Sequence, residues 1–321
     1  MITTSTAPVQ EVLFEMSVMS VSNSNTNSAI TEFFRWPRII SVLLALLTAL
    51  VLPGCSVVKL GYNNAESLSY WALDSHMDFN EVQSVTVRAE LASLLAWHRA
   101  NELPQYVSTL DKVQRLIPTK VTPEQVCELA SDVRTRFQTL LARTEGPVAA
   151  MVPTFAPEQL EHMARQFDKR RQKWRAEWLD GDASERSARR IKQLKNGAEM
   201  LYGNLEEPQL AALRASSAVT DFKAEISFKE AQRRHQDTLQ TLRQVQGSSL
   251  ASSQAQMRAL YSRSMNSPDP TYQRYLAHIT QETCKALAVL HNSITPIQRQ
   301  HALDTLKSWE TDVRALSNLA R

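Results

Sequence analysis

Glycine is scarce in this sequence, with seven residues in 321. Phosphate-binding loops and the sharp turn that carries a hydrolase serine both need glycine. The motifs Gly-x-Ser-x-Gly and His-Glu-x-x-His and the glycine-rich phosphate loops are all absent. No histidine has a glutamate three residues before it, which removes the paired Glu-x-x-His signature of di-iron bundles. We therefore predict no cofactor, no metal and no catalytic residue, and so a protein that is not an enzyme.

Alternating runs of valine, isoleucine and threonine are also missing, so no strand is expected. Apolar residues recur instead at intervals of three and four, as in amphipathic helices. We predict an all-α fold, a multi-helix bundle of about nine or ten helices. The expected core stripes are Val126, Leu129, Val133, Phe137 and Leu140; Leu160, Met163, Phe167, Trp174 and Trp178; Tyr272, Leu276, Ile279, Thr283, Ala286 and Leu290; and Leu303, Leu306, Trp309, Val313 and Leu316.

Helix starts and breaks follow from capping residues and from proline. Thr122 with Gln125, and Thr295 with Gln298, each enclose a proline and predict a capped helix start. The two helices around residues 291–296 should form an antiparallel hairpin. Another break is expected over residues 146–153, and the long helices of residues 156–203 either join the bundle or project as a separate hairpin.

Long hydrophobic segments are absent except for the fourteen residues Ile39 to Leu52, which follow the basic pair Arg35 and Arg38. A membrane span needs about 20 apolar residues, so this run is better explained as an export signal. Its end resembles the bacterial lipobox, in which signal peptidase recognises a segment ending at an acylated cysteine. That segment here is Leu52, Pro53, Gly54 and Cys55. We predict a lipoprotein signal peptide over residues 35–54 and lipidation at Cys55; the alternatives are an ordinary secretory signal with an incidental cysteine, or an uncleaved anchor.

The predicted anchor sets the compartment and the domain boundaries. Residues 1–34 are either a disordered extension or a mis-assigned start, with Met16 or Met19 as the alternative. Residues 55–61 would hold the lipidated cysteine and a short tether, and residues 62–321 an all-helical periplasmic domain. Because Ser56 follows the cysteine where aspartate would favour retention, we expect the outer membrane, with the inner membrane as the alternative.

Cysteine is also rare. Apart from Cys55, the sequence contains only Cys127 and Cys284. In an oxidising periplasm two cysteines have one possible connectivity. We predict a disulfide between them; the alternative is two buried free thiols.

Excess charge is small, with a formal net charge of +3, which does not call for nucleic acid as a partner. The densest basic segments suggest contact with anionic lipid headgroups or lipopolysaccharide phosphates. The alternative is a solvated helix face whose charges pair with acidic neighbours. The residues concerned are Arg170, Arg171, Lys173, Arg175, Arg189, Arg190 and Lys192.

Short motifs in a fixed order carry a resemblance to a family. They are Leu60-Gly61-Tyr62-Asn63, Tyr70-Trp71-Ala72-Leu73-Asp74, Met77-Asp78-Phe79, Trp97-His98-Arg99, Glu102-Leu103-Pro104-x-Tyr106, Thr122-Pro123-x-Gln125-Val126-Cys127, Ala198-Glu199-Met200-Leu201-Tyr202 and Leu290-His291-Asn292-x-x-Thr295-Pro296-x-Gln298-Arg299. The chain resembles an uncharacterised family of proteobacterial outer-membrane lipoproteins. The resemblance implies location and fold but no activity.

Two functions fit these observations. The first is a lipid-anchored, non-catalytic binding or scaffold protein whose partner is another envelope protein or anionic lipid. The second is a membrane-tethered chaperone, suggested by Trp174 and Trp178 in the basic helices and by a weaker similarity to helical periplasmic chaperones and lipase foldases.

Overall fold

The computed structural model describes residues 57–318, and within them it contains twelve α-helices, one 3₁₀ turn and no strand. The all-α prediction is confirmed, with more helices than the nine or ten expected. The predicted signal peptide, its recognition residues Leu52, Pro53 and Gly54, and the predicted lipidation site Cys55 lie outside the described residues.

The helices are short to medium in length, and most connections are brief. Their bounds are α1 Val57–Asn63, α2 Ala65–Met77, α3 Glu81–Asn101, α4 Leu103–Leu116, α5 Pro123–Met151, α6 Pro157–Trp178, α7 Ala183–Tyr202, α8 Glu207–Ala218, α9 Ala224–Gln244, α10 Leu250–Met265, α11 Pro270–Ser293 and α12 Pro296–Asn318, with the 3₁₀ turn Val152–Thr154 after α5. Residues 57–61, expected to be a tether, instead belong to a packed helix.

Two helices organise the packing. The long α5 lies against α3, α4, α10 and α11, while α12 lies against α1, α4 and α7. The largest apolar cluster joins the end of α5 to α6, α9 and α10 and includes Ala149, Val152 and Met257. Smaller clusters lie between α4 and α12 and where α8 meets α11. The interior is thus several linked clusters of apolar side chains.

Five helices begin with glutamine at the third helical position, where its Oε1 accepts a hydrogen bond from the N–H of the capping residue: Gln83, Gln125, Gln159, Gln209 and Gln298. This satisfies a backbone donor that a helix start leaves unpaired. The two predicted starts, at Thr122 and Thr295, are confirmed.

Four of these glutamines also connect distant parts of the chain. Gln298 Nε2 donates to Asn204 O (2.8 Å), and Gln209 Nε2 donates to Ser293 O (2.9 Å). The start of α8 and the start of α12 therefore hold each other. Gln83 and Gln159 do the same for the starts of α3 and α6: Gln83 donates to Thr154 O, and Gln159 to Met77 O and Asp78 O.

The predicted hairpin of the last two helices is wrong. Helix α11 packs against α5 and α8, whereas α12 packs against α1, α4 and α7. The buried residues of α12, such as Ala302 and Leu306, contact Ile117 after α4. Burial against different partners therefore directs the two helices apart, although only Ile294 and Thr295 separate them.

The predicted break at residues 146–153 is also wrong in its first part. Helix α5 continues through Gly146 and Pro147 to Met151. Proline removes one backbone hydrogen bond and normally ends a helix. Here Ala149 and Val152 have no exposed surface, so burial on the far side of the proline keeps the helix in register.

Helices α6 and α7 do not project as a separate hairpin. Helix α6 packs against α2 and α9, and α7 packs against α8 and α12. Each helix buries its apolar side on the body, so neither depends on the other for a partner.

The stripe predicted on α5 is only partly core. Val133 and Phe137 are exposed, while Arg134 between them is buried. The Arg134 guanidinium donates to Met265 O (2.6 Å) and to Asn266 Oδ1 (2.8 Å). At this position α5 is therefore attached to the end of α10 by hydrogen bonds from Arg134, and not by apolar contact. The other predicted stripes do bury residues: Leu160 and Met163 on α6, Leu276 and Ile279 on α11, and Leu306 and Leu316 on α12.

The predicted disulfide is confirmed in the structure, where Cys127 on α5 and Cys284 on α11 are bonded. The bond joins residues 157 positions apart in the sequence. Cys284 is almost fully buried, so the link lies inside the contact between the two helices.

Candidate interaction surface of the first three helices

The described structure begins with a helix that is held firmly on the body. On α1, Lys59 Nζ lies 3.0 Å from Asp312 Oδ1 of α12, and the Asp312 side chain is nearly buried. Val58 and Tyr62 pack against the cluster that contains Leu103 and Leu316. The orientation of α1 is therefore fixed from its first turn.

A polar chain adds to this attachment. Tyr62 Oη lies 2.9 Å from His98 Nδ1, and His98 Nε2 lies 3.2 Å from Tyr106 Oη. The three residues come from α1, α3 and α4, and all belong to the short motifs noted in the sequence. Burial lowers the pKa of His98, which favours the neutral ring. Burial also raises the pKa of both tyrosines, so these hydroxyls stay protonated.

Charged groups lie around these three hydrogen-bonded side chains. The Arg99 guanidinium lies 5.3 Å from the centre of the Tyr62 ring. Glu102 is buried, and its Oε2 lies 3.7 Å from Arg136 NH1 of α5. Both nitrogens of His98 are already engaged by tyrosine hydroxyls, so neither is available as a proton acceptor for a substrate. The arrangement acts to hold α1, α3 and α4 together.

The outward face of these helices is uncharged and largely apolar. We use "outward face" for the following exposed residues: Leu60 on α1; Ser67, Leu68, Trp71 and Ser75 on α2; Val82, Val85, Thr86, Ala89, Ala92, Ser93, Ala96 and Ala100 on α3. Trp71 is 71% exposed and Val82 77%. A solvent-facing helix surface is normally polar, so an uncharged face of this extent indicates a contact surface.

Side-chain contacts hold the part of the outward face on α2 next to the part on α3. Tyr70 Oη donates to Ser84 Oγ (2.8 Å), and the Arg88 guanidinium lies 3.5 Å above the Tyr70 ring. These contacts join α2 to α3 along the stretch that carries Trp71 and Val85. On α3 the apolar residues fall within an arc of about 120°, at 100° per residue. The exposed charges Glu81, Arg88 and Glu90 lie beside this arc.

The predicted basic surface is divided among local contacts. Arg171 pairs with Asp168, Arg175 Nε lies 3.6 Å from Asp180 Oδ1, and Arg189 donates to Asp180 O (2.5 Å). Arg190 is partly buried and donates to Ser217 O (2.6 Å). Lys173 and Lys192 are exposed, whereas Arg170 is half-buried. Binding of anionic groups here stays a prediction, with Lys173, Arg175 and Lys192 as its exposed members.

The tryptophans of α6 are already occupied by aromatic neighbours. Trp174 stacks on Phe228 with ring centres 5.6 Å apart, and Trp178 meets Phe222 edge-on at 6.3 Å. These contacts fasten α6 to α9 and to the segment before it.

His235 of α9 lies against the same helix. Its ring stacks on Phe167 at 4.1 Å between centres and 4° between planes. Its Nδ1 is buried without a hydrogen-bond partner among the described residues. Burial first, and then the charges of Arg170 and Arg171, lower the pKa of His235 to about 4.

One group of side chains has the donor set for a divalent cation. Asp221, His278 and Glu282 bring one ligand atom each to within 4.8 Å of one another. His278 Nε2 lies 2.9 Å from Asp221 Oδ2 and 3.2 Å from Glu282 Oε1. Glu282 also accepts hydrogen bonds from the Thr220 hydroxyl and from the Asp221 N–H. These bonds already account for the arrangement, which fastens the loop before α9 to α11.

Sequence reasoning missed the outward face and the hydrogen bonds that join Tyr62, His98 and Tyr106. The signal for the first was present, because Val82, Val85, Ala89, Ala92 and Ala96 recur at helical spacing. The same spacing predicts a buried stripe, and only the packing of α3 shows that it faces outward. The tyrosines and His98 are too far apart in sequence to be joined without the fold.

Comparison with known proteins gives one match. The model of a family of unknown function, DUF6279, matches residues 75–266, which is more than half of the chain. No curated protein and no solved structure matches the chain. The expectation of a family without an assigned function is thus confirmed.

Proposed function

Because the chain belongs to the DUF6279 family, whose function is unknown, we propose a function from its own residues: a lipid-anchored envelope protein that binds or scaffolds another component without catalysis. In this proposal Cys55 carries the acyl chains, the helical body lies in the periplasm, and the outer membrane is the site of attachment. Retention in the inner membrane is the alternative.

The observation that carries the proposal is the sequence just before α1. An apolar run from Ile39 to Leu52, too short to span a bilayer, ends in Leu52, Pro53, Gly54 and Cys55. Two or more acyl chains give stable attachment where one is marginal. No helix of residues 57–318 has the length and apolar character needed to cross a membrane.

The disulfide and the outward face support the proposal independently. Structural disulfides persist in oxidising compartments, and Cys127–Cys284 is such a bond. An uncharged, solvent-facing surface on α2 and α3 is typical of a protein that works by contact.

Lipidation is tested by expressing the full chain in bacteria with a labelled fatty acid. The wild-type protein should incorporate label, shift to the mass of a chain beginning at an acylated Cys55, and fractionate with membranes. Cys55→Ala should lose the label and the mass shift, whereas Cys127→Ala, with Cys55 intact, should keep both. Incorporation that survives Cys55→Ala would rule out this anchor.

A membrane-tethered chaperone is a second proposal, but no contact among residues 57–318 favours it. Trp174 and Trp178, which suggested it, already pack on Phe228 and Phe222. Its test is suppression of aggregation of an unfolded client at equimolar ratio, and absence of suppression would reject it.

A further inference from the structure

We propose that the outward face lies in the headgroup region of the membrane that carries the anchor, with Leu68, Trp71, Val82 and Val85 in contact with lipid. This inference rests on the proposed acylation of Cys55. It goes further, because it gives the body a fixed orientation on the bilayer.

The first argument is proximity. Only Ser56 lies between Cys55 and the first residue of α1, and α1 is seven residues long. The backbone therefore spans at most about 7 Å before α1 and about 10 Å along it. The start of α2 must lie within about 20 Å of the acylated residue. A tether of this length keeps the local concentration of lipid around the body high. A second copy or a free partner does not have this advantage.

The second argument is rigidity. Lys59 is paired with Asp312, and Tyr62 is bonded to His98. Helix α1 is thus fixed relative to α3 and α12, so an anchor at Cys55 would hold the part of the body around the start of α1 close to the membrane.

The third argument is chemistry. Tryptophan is enriched at membrane interfaces because its ring is both apolar and polar. The outward face contains Trp71 with aliphatic neighbours, and its remaining members are small or hydroxylic. It holds no lysine or arginine to attract anionic headgroups. Contact should therefore depend on apolar burial, and neutral lipid should suffice even at high salt.

The experiment uses the full chain, expressed and acylated in cells and reconstituted into phosphatidylcholine vesicles. One residue at a time is changed to cysteine and labelled with a polarity-sensitive dye. Val82→Cys reports on the outward face. Val219→Cys and Ile297→Cys are matched controls, because these side chains are also apolar and about four-fifths exposed, at 79% and 82%. Mass spectrometry of the same sample establishes whether Cys55 carries acyl chains.

A quencher attached to lipid should quench the dye at position 82 at least about threefold more than at positions 219 and 297, at low and high salt alike. Val85→Asp should reduce that quenching, whereas Val219→Asp should not. Both replaced side chains are exposed, so neither change should affect folding.

Three outcomes would overturn the inference. Equal quenching at all three positions in an acylated sample would reject docking and leave the anchor intact. An apolar signal at position 82 without vesicles, or energy transfer between labelled molecules that falls on dilution in lipid, would show that protein covers the face instead. A sample without acyl mass on Cys55 would reject the proposed anchor, and docking with it.

Discussion

Replacing Gln298 by alanine should destabilise the protein more than the same change at Gln125. The two sites have the same local design, Thr-Pro-x-Gln, and the same geometry. In each, threonine N–H donates to glutamine Oε1 at 2.9 Å, and glutamine N–H donates to threonine Oγ1 at 3.3 Å. Gln298 is 5% exposed and also donates to Asn204 O. The Gln125 side-chain amide has no such partner within residues 57–318.

The magnitude follows from this difference. Loss of the capping interaction costs about 1 kcal/mol in either variant. Gln298→Ala also removes the part-buried hydrogen bond to the Asn204 carbonyl, which adds about 0.5 to 1.5 kcal/mol. We expect a loss of about 1 kcal/mol for Gln125→Ala and about 1.5 to 2.5 kcal/mol for Gln298→Ala.

The assay is urea unfolding followed by circular dichroism, on residues 55–321 with Cys55 replaced by serine and the disulfide intact. Adding Gln209→Ala to Gln298→Ala should cost less than the sum of the single changes, because both glutamines hold the same pair of helix starts. Equal losses for Gln125→Ala and Gln298→Ala would contradict this prediction, since the long-range bond would then contribute nothing.

Three further predictions concern other contacts. The lowered pKa of His235 means that the unfolded chain binds a proton more readily, so stability should be complete above pH 6.5 and fall by up to about 3 kcal/mol as the pH drops to 4. His235→Gln should flatten this part of the stability curve, and an unchanged curve would exclude the residue as its source. Replacing Cys127 and Cys284 by alanine should cost up to about 5 kcal/mol in the chain-entropy model, seen as a lower urea midpoint; an unchanged midpoint would contradict this. Tyr62→Phe should cost about 1 kcal/mol and make amide exchange in α1 about fivefold faster by removing the bond to His98; unaltered exchange would show that this bond does not hold α1.

Local chemistry explains why much of the secondary structure follows from the sequence. The starts of α5 and α12 are predictable because threonine, proline and glutamine satisfy the donors of their own first turn. The cysteine pair follows from the predicted export signal, because two cysteines in an oxidising compartment would have only one possible connectivity. The all-α class follows from helical spacing and from the lack of strand patterns.

Burial partners are not encoded locally, and this is where prediction fails. Gly146 and Pro147 predict the end of a helix, yet Ala149 and Val152 are buried beyond them and α5 continues. The short link before α12 predicts a hairpin, but α12 has its buried contacts on α4 and α7.

The candidate surface shows the same division. The apolar spacing on α3 and the lipobox-like residues that end at Cys55 are visible in the residue order alone. Which side of α3 is covered depends on the fold: Gln83 and Val87 face the body, and Val82 and Val85 face outward. An apolar stripe specifies burial without specifying its partner. The partner is fixed by contacts between residues far apart in the chain, such as Tyr62 with His98 and Gln83 with Thr154.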